Sequence, residues 1–226
     1  MMKKTGMLSL STVLAASALT LAITTQARAE LSANIGVASN YYFRGFSETD
    51  GGAAVQGGLD WESPTGFYVG TWASNVEFGN GTSYELDLYL GFANELDNGL
   101  GYDFGYLYYA YPDAPGSADF GEIYGALSFN LFSIGAAYVV NDSSDSVLVT
   151  GDLYYYAGIE LPLANEFGLG FLVGRTAFDD SDAENYTHFV ASLGKDSSFG
   201  AFSFNLEYED SFDKDVKAWV GWTLEF

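Results

Sequence analysis

The chain has 226 residues with eight Lys and Arg, thirty Asp and Glu, one histidine and no cysteine. Its net charge of −22 argues against nucleic acid as a partner, because neutralising phosphate requires a basic surface. The missing cysteine excludes a disulfide framework and speaks against a lipoprotein anchor.

Residues 1–29 have the three parts of a secretory signal peptide. Lys3 and Lys4 form the basic region, an apolar run interrupted by Ser and Thr follows, and Ala27-Arg28-Ala29 offers small residues for cleavage. A retained membrane helix is the rival reading, and the polar interruptions disfavour it. The mature chain then begins near Glu30 with five bases against thirty acids, a net charge of −25. Such acidity in a hydrophilic chain suggests disorder, yet all 39 aromatic residues fall in this part. The chain therefore folds and buries or stacks aromatics in quantity.

From Leu31 onward the hydrophobic period is two, with no sustained helical stripe. In "SYELDLYLGF", Tyr84, Leu86, Leu88, Leu90 and Phe92 alternate with Glu85, Asp87, Tyr89 and Gly91. Similar runs, separated by turn clusters such as "ELDNG", "PDAPGSAD" and "NDSSDS", predict about twelve strands, within a range of ten to fourteen. Their predicted starts lie near residues 33, 53, 67, 83, 100, 121, 133, 149, 168, 186, 199 and 216. Spacing of roughly sixteen residues per strand and connection suits a strand of about ten residues that crosses an outer membrane. Residues 30–226 form one domain, with no linker and no sequence repeat.

A soluble β-sandwich would alternate too, so alternation does not decide the fold. The last strand is more informative: Val216, Ala218, Val220, Trp222, Leu224 and Phe226 form an unbroken apolar face ending on the final aromatic. It resembles the closing strand of bacterial outer-membrane barrels, which the assembly machinery reads through a terminal aromatic. Trp222, Leu224 and Phe226 are the residues matching that C-terminal assembly signal, whereas Trp219 stands where the signal prefers a polar residue. An even strand number also puts both termini on the periplasmic side. The expected fold is all-β: a transmembrane, antiparallel, up-and-down β-barrel in the outer membrane of a Gram-negative bacterium.

The stretch "SNYYFRGFSETDGGAAVQGGLDW", Ser39 to Trp61, resembles the TorF-type porin family of small proteobacterial outer-membrane proteins. The matching residues are Ser39-Asn40-Tyr41, Arg44-Gly45, Ser47-Glu48-Thr49-Asp50 and Gln56-Gly57-Gly58. The resemblance spans the mature chain with its specific residues in the first third. It implies an outer-membrane barrel and a pore.

If each apolar face meets lipid, the opposite face lines a lumen, since a lipid-facing Arg or Lys at the midplane costs ~2–4 kcal/mol. That rule turns Asp60, Glu85, Asp87, Asp103, Glu122, Asp152, Glu160, Glu207 and Glu225 inward against Arg44 and Lys217, with Arg175 ambiguous. The expected pore lining is Arg44, Asp60, Glu85, Asp87, Asp103, Glu122, Asp152, Glu160, His188, Glu207 and Lys217. Threading the hairpins gives an acidic mouth above a tight, partly aromatic waist that includes Tyr89, Gly105 and Tyr156. Such a lumen attracts cations; alternatively, the acids merely keep a wet interior solvated or pair with the few bases. Inward Tyr154 and Tyr156 could stack on a sugar or simply fill space. Tyr41 and Phe43 are expected in an aromatic girdle, and Arg44 at the mouth facing Glu85 or Glu122.

The acidic connections at Asn141, Asp179 and Glu209 share the outer end, where they are solvated loops or share divalent cations with lipopolysaccharide. None has the spacing of a calcium loop, and no cofactor is expected. His188 and Ser192 share a strand face at a separation of roughly 13 Å, too far for a nucleophile and base. The leading functional expectation is a small, cation-preferring passive channel and not an enzyme. Its expected partners are outer-membrane lipid and lipopolysaccharide, the barrel assembly machinery, and small solutes or cations. A closed structural or adhesive barrel is the alternative, and a hydrolase using His188 a distant one.

Overall fold

The computed structural model describes residues 29–226, so the leader assigned to 1–29 lies, except for Ala29, outside the described residues. Twelve antiparallel strands close into a barrel, and two short strands form a separate hairpin. The wall consists of β1 (Glu30–Ala38), β4 (Ala54–Glu62), β5 (Phe67–Asn75), β6 (Tyr84–Glu95), β7 (Leu100–Ala110) and β8 (Phe120–Phe129). It continues with β9 (Phe132–Asp142), β10 (Leu153–Pro162), β11 (Phe167–Ala177), β12 (Tyr186–Ser197), β13 (Gly200–Glu209) and β14 (Lys217–Glu225). The hairpin is β2 (Tyr42–Phe43) with β3 (Phe46–Ser47).

Each wall strand pairs with its chain neighbours, and β1 closes the ring on β14 by pairing Ile35 with Leu224 and Val37 with Trp222. Phe226 seals the seam, exchanging two 2.9 Å backbone hydrogen bonds with Ala33. Closure leaves the wall no free sheet edge, the condition for a sheet to lie in hydrocarbon. No described helix is long and apolar enough to cross a membrane.

The strand count and the up-and-down order match the period-two reading. The largest displacement of a start is at β10, which begins at Leu153 instead of near 149. Val147 and Val149 continue the alternation, but Gly151 at φ +110° turns the chain and the Val149 amide caps on the Asp152 carboxylate, 2.9 Å away. That local turn overrides the pattern.

Burial alternates with the pleat. Exposed Leu88, Leu90, Phe104, Ile123, Leu127, Ile134, Phe171, Phe204 and Val220 form an apolar band around the outside, as expected of a barrel spanning a bilayer. Inside, cross-strand pairs set tyrosines against glycines, among them Tyr89 with Gly70, Tyr68 with Gly91, Tyr124 with Gly105, and Tyr156 with Gly135. A Cβ on any of these glycines would strike its partner's ring. The rings therefore lie against the wall and form the aromatic waist, with Tyr68 reaching across to hydrogen-bond Tyr124. Connections alternate too: turns of two to four residues at the end carrying both termini, and longer loops at the other, which is the arrangement of periplasmic and extracellular ends.

Gly105→Val should lever Tyr124 off the wall and lower the barrel's unfolding free energy by about 1–3 kcal/mol. Urea unfolding of the barrel in detergent, read by tyrosine and tryptophan fluorescence, measures it.

Candidate functional site

The lumen is entered from its long-loop end by the chain itself. After β1 the backbone leaves the wall instead of continuing a girdle, and the β2–β3 hairpin turns inward on Arg44 and Gly45, whose φ angles are +50° and +95°. Two consecutive positive φ values define the tight hairpin turn that Gly and Asn usually occupy, so Arg44 holds a backbone shape uncommon for its type. Space explains the glycine: a Cβ on Gly45 would stand 2.9 Å from Cβ of His188 and 3.1 Å from Cβ of Glu209. The base of the hairpin is knotted by polar side chains. The Ser47 hydroxyl donates to Asn40 Oδ1 at 2.7 Å, the Tyr41 amide donates to Thr49 Oγ1 at 3.1 Å, and Ser39 is bonded to Val220 of β14.

The expected girdle positions are therefore corrected. Tyr41 is buried in the lumen, where its hydroxyl donates to Glu85 Oε1 at 2.9 Å and its ring meets Trp72 edge-on. Phe43 packs edge-on against Tyr109. Tyr42 stacks on Trp219, and Phe46 meets Tyr186. The hairpin thereby touches β5, β6, β7, β12 and β14, strands distributed round the whole wall. Residues 42–47 are too few and too irregular for periodicity to reveal the hairpin.

At the tip, Arg44 is 3% exposed and its Nη2 lies 2.7 Å from Oε2 of Glu122, itself 1% exposed. The pairing expected with Glu122 is thus present. The guanidinium carbon lies 4.2 Å from the centre of the Tyr154 ring and 4.6 Å from that of Phe43. Tyr154 is held from behind: its hydroxyl hydrogen-bonds His188 Nε2 at 2.9 Å, and its ring stacks on Tyr156 at 5.9 Å. The Tyr109 hydroxyl donates to the same Glu122 oxygen at 3.2 Å.

The other acids divide by height. Glu85, Asp87, Glu122 and Glu207 are buried beside the hairpin near the long-loop end. Asp103, accepting from Tyr68 at 2.7 Å, and Asp60, accepting from Tyr89, belong to the tyrosine layer below, and Glu160 lies nearer the short turns. Lys217 sits at the rim, half-exposed, 2.7 Å from Asp213. Asp152 precedes β10, and its two oxygens take the amides of Val149 and Asp179, so it braces two loops instead of facing the lumen centre. Arg175 faces outward and donates to Thr187 at 2.9 Å. Sequence reasoning did not count Glu48 or Glu209 among the inward acids, placing Glu209 in an acidic outer loop. The Glu209 carboxylate gathers the amides of Ser211 and Phe212 in the β13–β14 loop. Glu48 follows β3, and burial together with the nearby Glu85 charge pushes its carboxyl up to about 8. No cluster suited to holding a metal ion occurs among the described residues.

A closed twelve-strand barrel with an apolar exterior and a carboxylate-rich interior has the architecture of the outer-membrane porins. The chain belongs to the family described as "Bacterial protein of unknown function (Gcw_chp)", whose model matches residues 22–223. No curated protein matches it in sequence. Among solved structures it is similar to the KdgM porin, with a TM-score of 0.56 and 7% identity over 86% of this chain and 98% of that one. A second structure, the KdgM porin in complex with disordered oligogalacturonate, gives 0.54 and 6% over 87% and 97%. The NanC porin gives 0.52 and 11% over 87% and 98%. At such identities the likeness is one of fold.

Removing Glu122 strands a buried guanidinium, so Glu122→Ala should cost about 3–5 kcal/mol in urea unfolding, with Arg44→Gly/Glu122→Gln costing less than the sum of its single changes. A carboxyl raised in the folded state stabilises fully below its unfolded value near 4.5 and loses that contribution as pH rises through about 8. Protease cleavage within residues 40–52 should therefore accelerate from pH 6 to pH 9, and Glu48→Gln should flatten that rise.

Proposed function

We propose that this protein is an outer-membrane channel of the TorF type for passive diffusion of small solutes, preferring cations. The observation that carries the reading is the closed barrel with its apolar band outside and Glu85, Asp87, Glu122 and Glu207 buried inside against Arg44. Twelve strands lie between about eight, which side chains can fill, and about sixteen, which leave a wide aqueous channel. Carboxylates in a low-dielectric tube raise the local cation concentration and repel anions, an effect that salt screens. The hairpin and the tyrosine layer narrow the path, so the resting conductance is small and large solutes are rejected. Export by the leader, assembly through Trp222, Leu224 and Phe226, and contact of the acidic loops with lipopolysaccharide complete the reading.

One observation favours a second reading, a closed structural barrel. Tyr41, Tyr42 and Trp219 join Ala38, Ala54 and Val76 in an apolar core at the mouth, a feature suited to a permanent plug. A hydrolase draws little support, because the His188 Nε2 that would serve as base is engaged by Tyr154, and Ser192 lies two pleat repeats farther along the strand.

Single-channel recording in planar bilayers under a KCl gradient separates these readings. Wild-type barrels should give small steps with a cation-selective reversal potential, and replacing residues 41–48 by a Gly-Ser linker should enlarge the steps several-fold. Silence from both proteins would favour the closed barrel, and an anion-selective potential would remove the acidic-lumen argument. Neither wild type nor His188→Ala should turn over phospholipid in vesicles.

A further inference from the structure

Arg44 sits in its surroundings as a bound cation sits in a receptor. The guanidinium has a carboxylate at 2.7 Å in its reach and aromatic faces at 4.2 and 4.6 Å from its central carbon. Coplanar donors facing a carboxylate and a delocalised cation resting on aromatic rings are how proteins recognise guanidinium groups from solution. The parts of this box have different owners. Phe43 and Arg44 belong to the hairpin, whereas Glu122, Tyr109 and Tyr154 belong to β8, β7 and β10 of the wall.

The wall half is braced without the hairpin. Tyr154 is fixed by His188 and Tyr156, and Glu122 by the Tyr109 hydroxyl. Withdrawing the hairpin would therefore leave a preformed carboxylate and aromatic face with no cation on them. A second observation points the same way: Oε1 of Glu122 and Oδ1 of Asp87 are fully buried and have no hydrogen-bond partner among the described residues. The box offers more acceptors than the hairpin uses, and buried acceptors without partners are costly. Finally, Arg44 occupies its place with φ +50°, a conformation a withdrawn loop need not keep.

We propose that the wall of this barrel carries a binding site for small alkylguanidinium solutes, formed by Glu122, Tyr109 and Tyr154, which the hairpin fills with Arg44 as an internal mimic. The incoming solute displaces Arg44, so binding and withdrawal of the hairpin are one exchange: Glu122 loses the Arg44 pair and gains that of the solute. This inference rests on the channel reading for its purpose, because it names the class of cation that would open and traverse the lumen. It does not need conduction in order to exist as a site.

Arg44→Gly tests it, since glycine suits φ +50° and removes the side chain without opposing the turn. Calorimetric titration of the folded barrel in detergent at low ionic strength, with agmatine as probe, should show binding to Arg44→Gly at least tenfold tighter than to wild type. Agmatine should also raise the melting temperature of Arg44→Gly by more than it raises that of wild type. The gain should vanish in Arg44→Gly/Glu122→Gln and weaken in Arg44→Gly/Tyr154→Leu, while butylamine, of similar length but lacking the planar fork, binds at least several-fold less tightly. Equal affinity of wild type and Arg44→Gly, or binding that survives loss of Glu122, overturns the inference. If Arg44→Gly folds poorly, Arg44→Lys supplies the second measurement: agmatine should compete with the weaker lysine and bind more tightly than to wild type, and no difference refutes the exchange. Because binding is measured without current, a barrel that binds agmatine yet never conducts sinks the channel reading and leaves the site standing.

Discussion

The constraint on which this structure depends is electrostatic: a chain with few bases puts one of them, Arg44, inside a ring of carboxylates. A buried guanidinium is costly unless a carboxylate receives its charge. Glu122 does so at 2.7 Å, and Tyr109 shares that carboxylate. The same pair organises the mouth. It anchors the tip of a hairpin whose base is knotted by Asn40, Ser47 and Thr49 and whose flanks are wedged by Tyr41, Tyr42, Phe43 and Phe46.

The barrel below needs no such pairing. Its order comes from the two-residue period, which places lipid-facing and lumen-facing side chains on opposite faces and fixes the register, because a one-residue slip would exchange the faces. Each waist tyrosine adds a second lock, since its ring lies over a glycine of the paired strand. The lumen is therefore built in two layers by different physics. The lower one is packed by ring against backbone, and the upper one is held by charge and by an inserted loop.

This division explains what could be read in advance. Strand number, order and facing follow from repeated alternation, which averages over many residues and survives local exceptions such as the turn at Gly151 and Asp152. The inward acids of β6, β7 and β8 were legible for the same reason. The hairpin was not, because extending the alternation of β1 through Tyr41 and Phe43 assigns them to a lipid-facing girdle, whereas the chain has already left the wall. No period extends through a turn of positive φ. Likewise, Asp152 matched the inward pattern while its oxygens belong to loop amides, and nothing in the alternation placed Glu48, which the fold sets beside Glu85.

The residues that carried the resemblance to porins now have a physical meaning. Gln56, Gly57 and Gly58 lie in wall strand β4, but Asn40, Tyr41, Arg44, Gly45, Ser47 and Thr49 are not wall residues; together they specify the inserted hairpin. Asn40, Ser47 and Thr49 tie its base, Tyr41 binds a lumen carboxylate, Gly45 fits where a Cβ would strike His188, and Arg44 is the charge that meets Glu122. A wall tolerates many apolar residues at each lipid-facing position, so it leaves a loose signature. An inserted loop must match a particular interior residue by residue, and it leaves a tight one. Where this sequence departs from alternation into such an exacting pattern, the departure marks the element that is inserted into the lumen.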